Sequence, residues 1–148
     1  MLEDKSKTIY LTKHYLFFEK FLLKKRQEIL IVLKEFLINK KIDDVLDVGS
    51  TEDNIHGSSN FLIKNLGNYR EYKSISDQKI KSDFFSKKFN KSITENFSDE
   101  DIKNMASDLV ISNATIEHVG DLSNQIKMCR NVIKLSKKYF IIITPNRY

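Results

Sequence analysis

The sequence predicts an α/β fold: a mostly parallel sheet of about five strands, helices on both of its faces, and helical structure ahead of it. Three observations carry this prediction. Short apolar runs alternate with stretches of helical periodicity, the pattern of successive βαβ units. Val45-Leu46-Asp47-Val48 runs directly into Gly49-Ser50-Thr51, a strand entering a glycine turn ahead of a helix, as nucleotide-binding units open. Tyr139-Phe140-Ile141-Ile142-Ile143-Thr144 is continuously apolar, as a buried parallel strand is.

In chain order, residues 12–39 read as a helix, with room for one break near Leu23–Lys25. Phe18, Phe21, Leu22, Ile29, Val32, Leu33, Phe36 and Leu37 recur at three- and four-residue spacings. Thr12 suits the N-cap and Asn39-Lys40-Lys41 the C-terminal end. This strip suits one face of the sheet, so residues 1–41 form a helical segment packed on an α/β domain of residues 42–148. After the first strand, Glu52 to Ser58 make a long acidic loop. Ser59 to Leu66 form the next helix, with Phe61, Leu62 and Leu66 inward and Gly67 as its stop. Residues 71–76 form the second strand, with Asp77 at its carboxyl end. The stretch 82–97 reads as a short helix through Phe84, Phe85 and Phe89, then a small strand near Ser92–Thr94. Ser98 caps a helix whose first turn is acidic. Asp108 to Ser112 is a strand leading into Asn113, and Asp121 caps a helix whose inward face is Leu122, Ile126, Cys129 and Ile133.

A chain of 148 residues, 41% of them hydrophobic and including ten Phe and six Tyr, supports one domain with a real core. Four Gly and one Pro exclude collagenous and linker-like architectures. Lys and Arg total 25 against 20 Asp and Glu, a formal charge of +5. The excess is scattered lysine without an arginine block, which describes a soluble surface better than a nucleic-acid interface, although Tyr69 and Tyr72 flank Arg70 as a stacking pair would. Cys129, the single cysteine, excludes an intrachain disulfide and reads as a small buried thiol. His14 and His56 are distant and lack partners at ligand spacing, so no metal is expected. Without a long uncharged apolar run or a leader-like start, no membrane span is expected and the cytoplasm is the expected compartment.

Val45 to Ser50, taken with Asp108 to Asn113 and with Glu117-His118-Val119, resembles the class I S-adenosylmethionine-dependent methyltransferases grouped as the type 11 family. The resemblance spans roughly residues 40–148 and takes in Asn113-Ala114-Thr115-Ile116-Glu117-His118-Val119 and Thr144-Pro145-Asn146-Arg147. It implies a Rossmann-like three-layer sandwich, here ending after strand five, and S-adenosylmethionine as cofactor. The implied activity is methyl transfer to a small-molecule, sugar or lipid acceptor, which the sequence does not identify. Asp47, Gly49 and Ser50 would surround the methionine part of the cofactor. Asp77 would hold the ribose, Glu95 would stand near the adenine, and Asn113 and Ala114 would border the transfer site. His118 can act as general base toward the acceptor, or brace the loop through backbone hydrogen bonds.

Three departures accompany the resemblance. Thr51 and Asp53 stand where the family loop has further glycines. Ser76 occupies the position of the ribose-binding acid, with Asp77 one residue later. The chain ends after the fifth strand, leaving residues 139–144 near a sheet edge that a homo-oligomer or a partner chain would cover. These departures support an alternative, a degenerate or truncated domain of the same fold serving as a binding or assembly subunit.

Overall fold

A computed structural model describes residues 5–52 and 60–144, with side-chain surroundings given for residue 17 and from residue 19 onward in those ranges. His56, Asp53, Gly57, Ser59 and Pro145 to Arg147 therefore lie outside the described residues. Contacts divide the chain into two units, Met1–Ile38 with Asp53–Leu66, and Asn39–Glu52 with Gly67–Tyr148.

The first unit holds α1 (Lys5–Leu37) and α2 (Phe61–Asn65), which pack against each other. The 33 residues of α1 form one unbroken helix. The anticipated break at Leu23–Lys25 is absent, because two lysines interrupt an apolar pattern without disturbing the backbone. Nor does Thr12 cap the helix, which runs through it; Lys5 to Leu11 contain neither Gly nor Pro to stop it earlier. Leu33 and Leu37 are buried and Leu22 and Ile29 half-buried, but Phe21, Val32 and Phe36 of the expected inward strip are exposed. The strip had merged two neighbouring sides of one helix, about 100° apart and both apolar. In α2, a single turn after Asn60 at φ 52°, the buried residues are Leu62 and Ile63, followed by Leu66.

The second unit is a Rossmann-like α/β unit. Its strands are β1 (Asp44–Val48), β2 (Glu71–Ser76), β3 (Lys87–Asn90), β4 (Ser107–Asn113) and β5 (Ser136–Ile143). They line up as β3-β2-β1-β4-β5, and every pairing is parallel. Helices α3 (Asp99–Met105) and α4 (Leu122–Leu135) lie between β3 and β4 and between β4 and β5 in the chain. Leu46, Val48, Ile75 and Val110 form one core with Ile93, Met105 and the α4 residues Met128, Val132 and Leu135. Val45, Leu109 and Ile111, which alternate with them along the strands, are also buried. Burial on both faces explains why β1 and β4 read as unbroken apolar runs.

Both anticipated caps are present. The Ser98 side chain accepts the Asp101 N–H while the Asp101 carboxylate accepts the Ser98 N–H, and Asp121 accepts the Asn124 N–H at 2.9 Å. Two expectations fail here. Residues 82–97 hold no helix: Phe84 and Phe85 sit in a tight turn, with the Phe85 ring buried, and the strand is Lys87–Asn90 rather than Ser92–Thr94. The Ser86 N–H donates to the Tyr72 carbonyl at 2.8 Å, starting the pairing with β2 that makes this polar segment a strand. On α4 the inward face is Met128, Asn131, Val132 and Leu135; Leu122, Ile126 and Ile133 are exposed, and Cys129 is only half-buried. The two stripes lie about 140° apart on the helix, and each contains apolar residues three and four apart. The helix passes into β5 at Ser136 without a loop, and Ser136 Oγ donates to the Val132 carbonyl at 2.6 Å.

At the amino ends of the strands lies a charge network. Lys73 Nζ, 5% exposed, reaches Asp44 Oδ2 at 2.9 Å and the Ala106 carbonyl at 3.0 Å. Asp44 also accepts Lys137 at 3.2 Å and the Asp108 N–H at 3.0 Å, while Asp108 accepts Lys138 and the Asp43 N–H, each at 2.9 Å. Burial pushes the Asp44 carboxyl up, but Lys73, the Asp108 N–H and Lys137 outweigh it and hold the group at about 2.

Candidate functional site

Parallel strands deliver their carboxyl ends to one side of the sheet, and the order reverses between β1 and β4, so loops diverge there and leave a crevice. In this unit a cavity of about 450 Å³ occupies that position. The β1 end contributes Gly49, Ser50 and Thr51, and the β2 end Ile75, Ser76, Asp77 and Gln78. The loop after β3 adds Ser92, Ile93 and Thr94, and the β4 end adds Ala114, Thr115, His118 and Val119.

Five of the residues singled out in the sequence meet here: Gly49, Ser50, Asp77, Ala114 and His118. Asp47, Glu95 and Asn113 are not part of the wall. Asp47 is buried behind the turn, where its carboxylate accepts the Ser50 hydroxyl. Glu95 turns back on its own loop: its side chain accepts the Ser92 N–H at 2.8 Å, and its carbonyl accepts the Asn131 amide at 2.8 Å. Asn113 is the last residue of β4.

The β1 turn is held from two sides. The Gly49 N–H donates to the Ile75 carbonyl at 2.9 Å, extending the β1–β2 pairing, and Gly49 adopts φ 87°. Thr115 Oγ1 donates to the Val48 carbonyl at 3.0 Å. A Cβ on Gly49 would lie 2.7 Å from Thr115 Cγ2 and nearer still to Oγ1. The close approach that requires glycine here is therefore made by a threonine of the same unit. Ala114 adopts φ 55°, with its N–H donating to the Ile143 carbonyl at 2.8 Å, which swings the chain away from the sheet so that Thr115 and His118 face the cavity. The His118 N–H donates to the Thr115 carbonyl at 2.9 Å, closing that turn.

On the β2 side the strand ends at Ser76, and Asp77 lies in the bend beyond it. Strict alternation no longer applies there, so both Ser76 and Asp77 border the cavity despite being adjacent. Asn90 Nδ2 donates to the carbonyls of Ser76 at 3.2 Å and Asp77 at 2.9 Å, and Ser76 Oγ accepts the Gln78 N–H at 3.1 Å. Glu52 Oε2 accepts the Lys81 N–H at 2.7 Å, tying the loop after β1 to the loop after β2. Asn131 Nδ2 also reaches the Ile93 carbonyl at 2.7 Å, so the loop after β3 is fixed by a buried amide from α4. Neither Asn90 nor Asn131 was legible as a positioning residue, since each acts through backbone atoms distant in the chain.

Burial raises the Asp47 carboxyl to about 6 against the opposing Ser50 hydrogen bond. A folded-state value above the ordinary 3.8 means that the stability contributed is fully present below pH 3.8 and is lost as pH rises through about 6. At about 1.4 kcal/mol per pH unit, ionising this group in the folded chain costs roughly 3 kcal/mol. Asp47→Asn, which can still accept the Ser50 hydroxyl, should gain about that much relative to the parent chain between pH 4 and pH 7, measured by urea unfolding. An unchanged pH slope would assign the effect to another group.

The cavity wall carries hydroxyls, one carboxylate and three aliphatic side chains, Ile75, Ile93 and Val119; among the described wall residues none is Lys or Arg. Such a wall matches an uncharged or cationic ligand with hydroxyls and an apolar ring, and among its described residues offers no Lys or Arg to a phosphate. Among the described residues no group of three His, Cys, Asp or Glu is placed to hold a metal, and no helix is long and apolar enough to cross a membrane. The other aromatics near Arg70 pack on one another: Tyr69 and Tyr72 meet edge to face at 5.8 Å, and Tyr72 lies 4.6 Å from Phe84 between ring centres. Comparisons of the chain with protein-family models, with curated proteins and with solved structures gave no match.

Proposed function

We propose that this cavity binds S-adenosylmethionine and that the protein transfers its methyl group to a small acceptor. The observation that carries the reading is a wall that, among the described residues, has a carboxylate and no Lys or Arg at the carboxyl ends of β1, β2 and β4. Bound there, the cofactor supplies the methyl on its sulfonium. Asp77 and Ser76, held by Asn90, accept the ribose hydroxyls, while Ile75, Ile93 and Val119 give the base an apolar wall. Ser50 and Thr51 face the amino-acid end at the Gly49 turn. Ala114 and Thr115 border the acceptor, and His118 takes a proton from its nucleophile as general base.

A second reading, a domain of this fold that serves as a binding or assembly subunit without transferring a group, draws on the β1 turn. Thr115 already fills the space beside Gly49, and Thr51 adds a side chain to the wall.

Calorimetric titration separates the two. The parent chain should bind S-adenosylmethionine and S-adenosylhomocysteine and ignore ATP. Asp77→Ala should weaken binding about tenfold, equivalent to about 1.4 kcal/mol, whereas Glu95→Ala should leave it unchanged. No heat with either cofactor form would overturn the proposal.

A further inference from the structure

The side of α1 facing solvent is apolar at both ends and charged in the middle. Phe17, Phe21, Val32 and Phe36 are 76, 50, 63 and 50% exposed. Between them Lys25 and Glu28 form an ion pair at 2.8 Å with both side chains about half exposed. A lone amphipathic helix turns such residues inward, and α1 already buries Leu33 and Leu37 elsewhere on its surface. The spacing is the informative feature. Positions 17, 21, 25, 28, 32 and 36 are separated by 4, 4, 3, 4 and 4 residues, a series that reads the same in both directions.

We propose that α1 pairs antiparallel with α1 of a second copy of this chain, about a two-fold axis between residues 26 and 27. That register sets Phe17 opposite Phe36, Phe21 opposite Val32, and Lys25 opposite Glu28, each relation occurring twice, as an isologous interface requires. The two internal Lys25–Glu28 pairs then join into a ring of four alternating charges at the axis. Parallel pairing sets like charges together at the same place. The central 4-3-4 spacing is that of knobs-into-holes packing, and the stripe runs roughly 28 Å along the helix at about 1.5 Å per residue. A lipid surface fits less well, since it takes an uninterrupted apolar stripe with basic residues at its flanks, whereas here an acid stands mid-stripe. This inference is independent of the proposed cofactor.

Sedimentation equilibrium of the full chain should show a dimer. Lys25→Glu and Glu28→Lys should each weaken self-association about tenfold or more, because every reversal places like charges across the axis twice. Mixing the two variants should restore a one-to-one dimer, since the reversed charges then complement each other. In a Cys129→Ser background, Phe21→Cys mixed with Val32→Cys should form a disulfide-linked pair. Phe21→Cys alone should not, as those positions lie about 16 Å apart in the antiparallel register, beyond the roughly 7 Å that a disulfide spans. A monomer at every loading concentration, undiminished association in Lys25→Glu, or self-crosslinking of Phe21→Cys would each overturn the proposal. So would binding of the monomer to anionic vesicles in place of dimerisation.

Discussion

Replacing Asp44 with alanine should lower the free energy of unfolding by about 3–5 kcal/mol, the usual cost of leaving one member of a buried ion pair alone. Lys73 would keep only the Ala106 carbonyl at 3.0 Å and Glu71 at 3.5 Å, with its ammonium still out of water. The Asp108 N–H would lose its acceptor as well. Lys73→Met should be milder, because Asp44 retains Lys137 and the Asp108 N–H. The double variant should recover much of the loss, since no unpaired buried charge remains and Lys137 is half exposed. Urea unfolding of the four proteins forms the cycle. Acid titration gives an independent check. The Asp44 carboxyl, ordinarily at 3.8, is held at about 2, so its stabilising effect is complete above pH 3.8 and disappears as pH falls through about 2. The parent chain should lose stability across that window, and Asp44→Ala should lack that component. Equal acid profiles would show that ionisation of Asp44 contributes nothing to folding.

Gly49→Ala is the second large effect, and it combines two costs. A side chain at φ 87° is strained by about 1–2 kcal/mol, and the new methyl collides with Thr115. A loss of roughly 2–4 kcal/mol should result. Thr115→Ala removes the hydroxyl and methyl that stand in the way, so in that background the penalty should shrink to the conformational part, about 1–2 kcal/mol. Thermal unfolding of the four combinations measures both terms. If the penalty is equal in both backgrounds, Thr115 is not what confines this turn to glycine. Ligand binding should fall with Gly49→Ala in either background, because the Gly49 N–H to Ile75 bond that joins two lining residues depends on this backbone conformation.

What the sequence disclosed follows from how local each signal is. Strands β1 and β4 were visible because double-sided burial writes itself as apolar runs, and the α3 and α4 caps because Ser98 and Asp121 act within three residues. Strand β3 was not visible. Lys87-Lys88-Phe89-Asn90 has no strand-like composition, and becomes a strand only because β2 offers it an edge. On α4 the pattern offered two stripes of equal spacing, and only Met128, Val132 and Leu135 meeting the core decides between them. For the cavity, the residues found in advance stand within two short motifs and at the end of β2. The residues that fix their backbone, Asn90, Asn131 and Thr115, were not assigned that role, because it is exercised through carbonyls up to 67 positions away. The Asp44–Lys73 pair was missed for the same reason, its partners being 29 apart in the chain.

The join between α4 and β5 at Ser136 leaves no spare chain. With no loop to absorb a change in length, one added residue there would rotate the helix by about 100° or turn every β5 side chain to the opposite side. Either outcome would reach Ile143, whose carbonyl holds the Ala114 N–H at the edge of the cavity. A join without a loop therefore ties the register of β5, and with it the Ile143 carbonyl, to the rotation of α4.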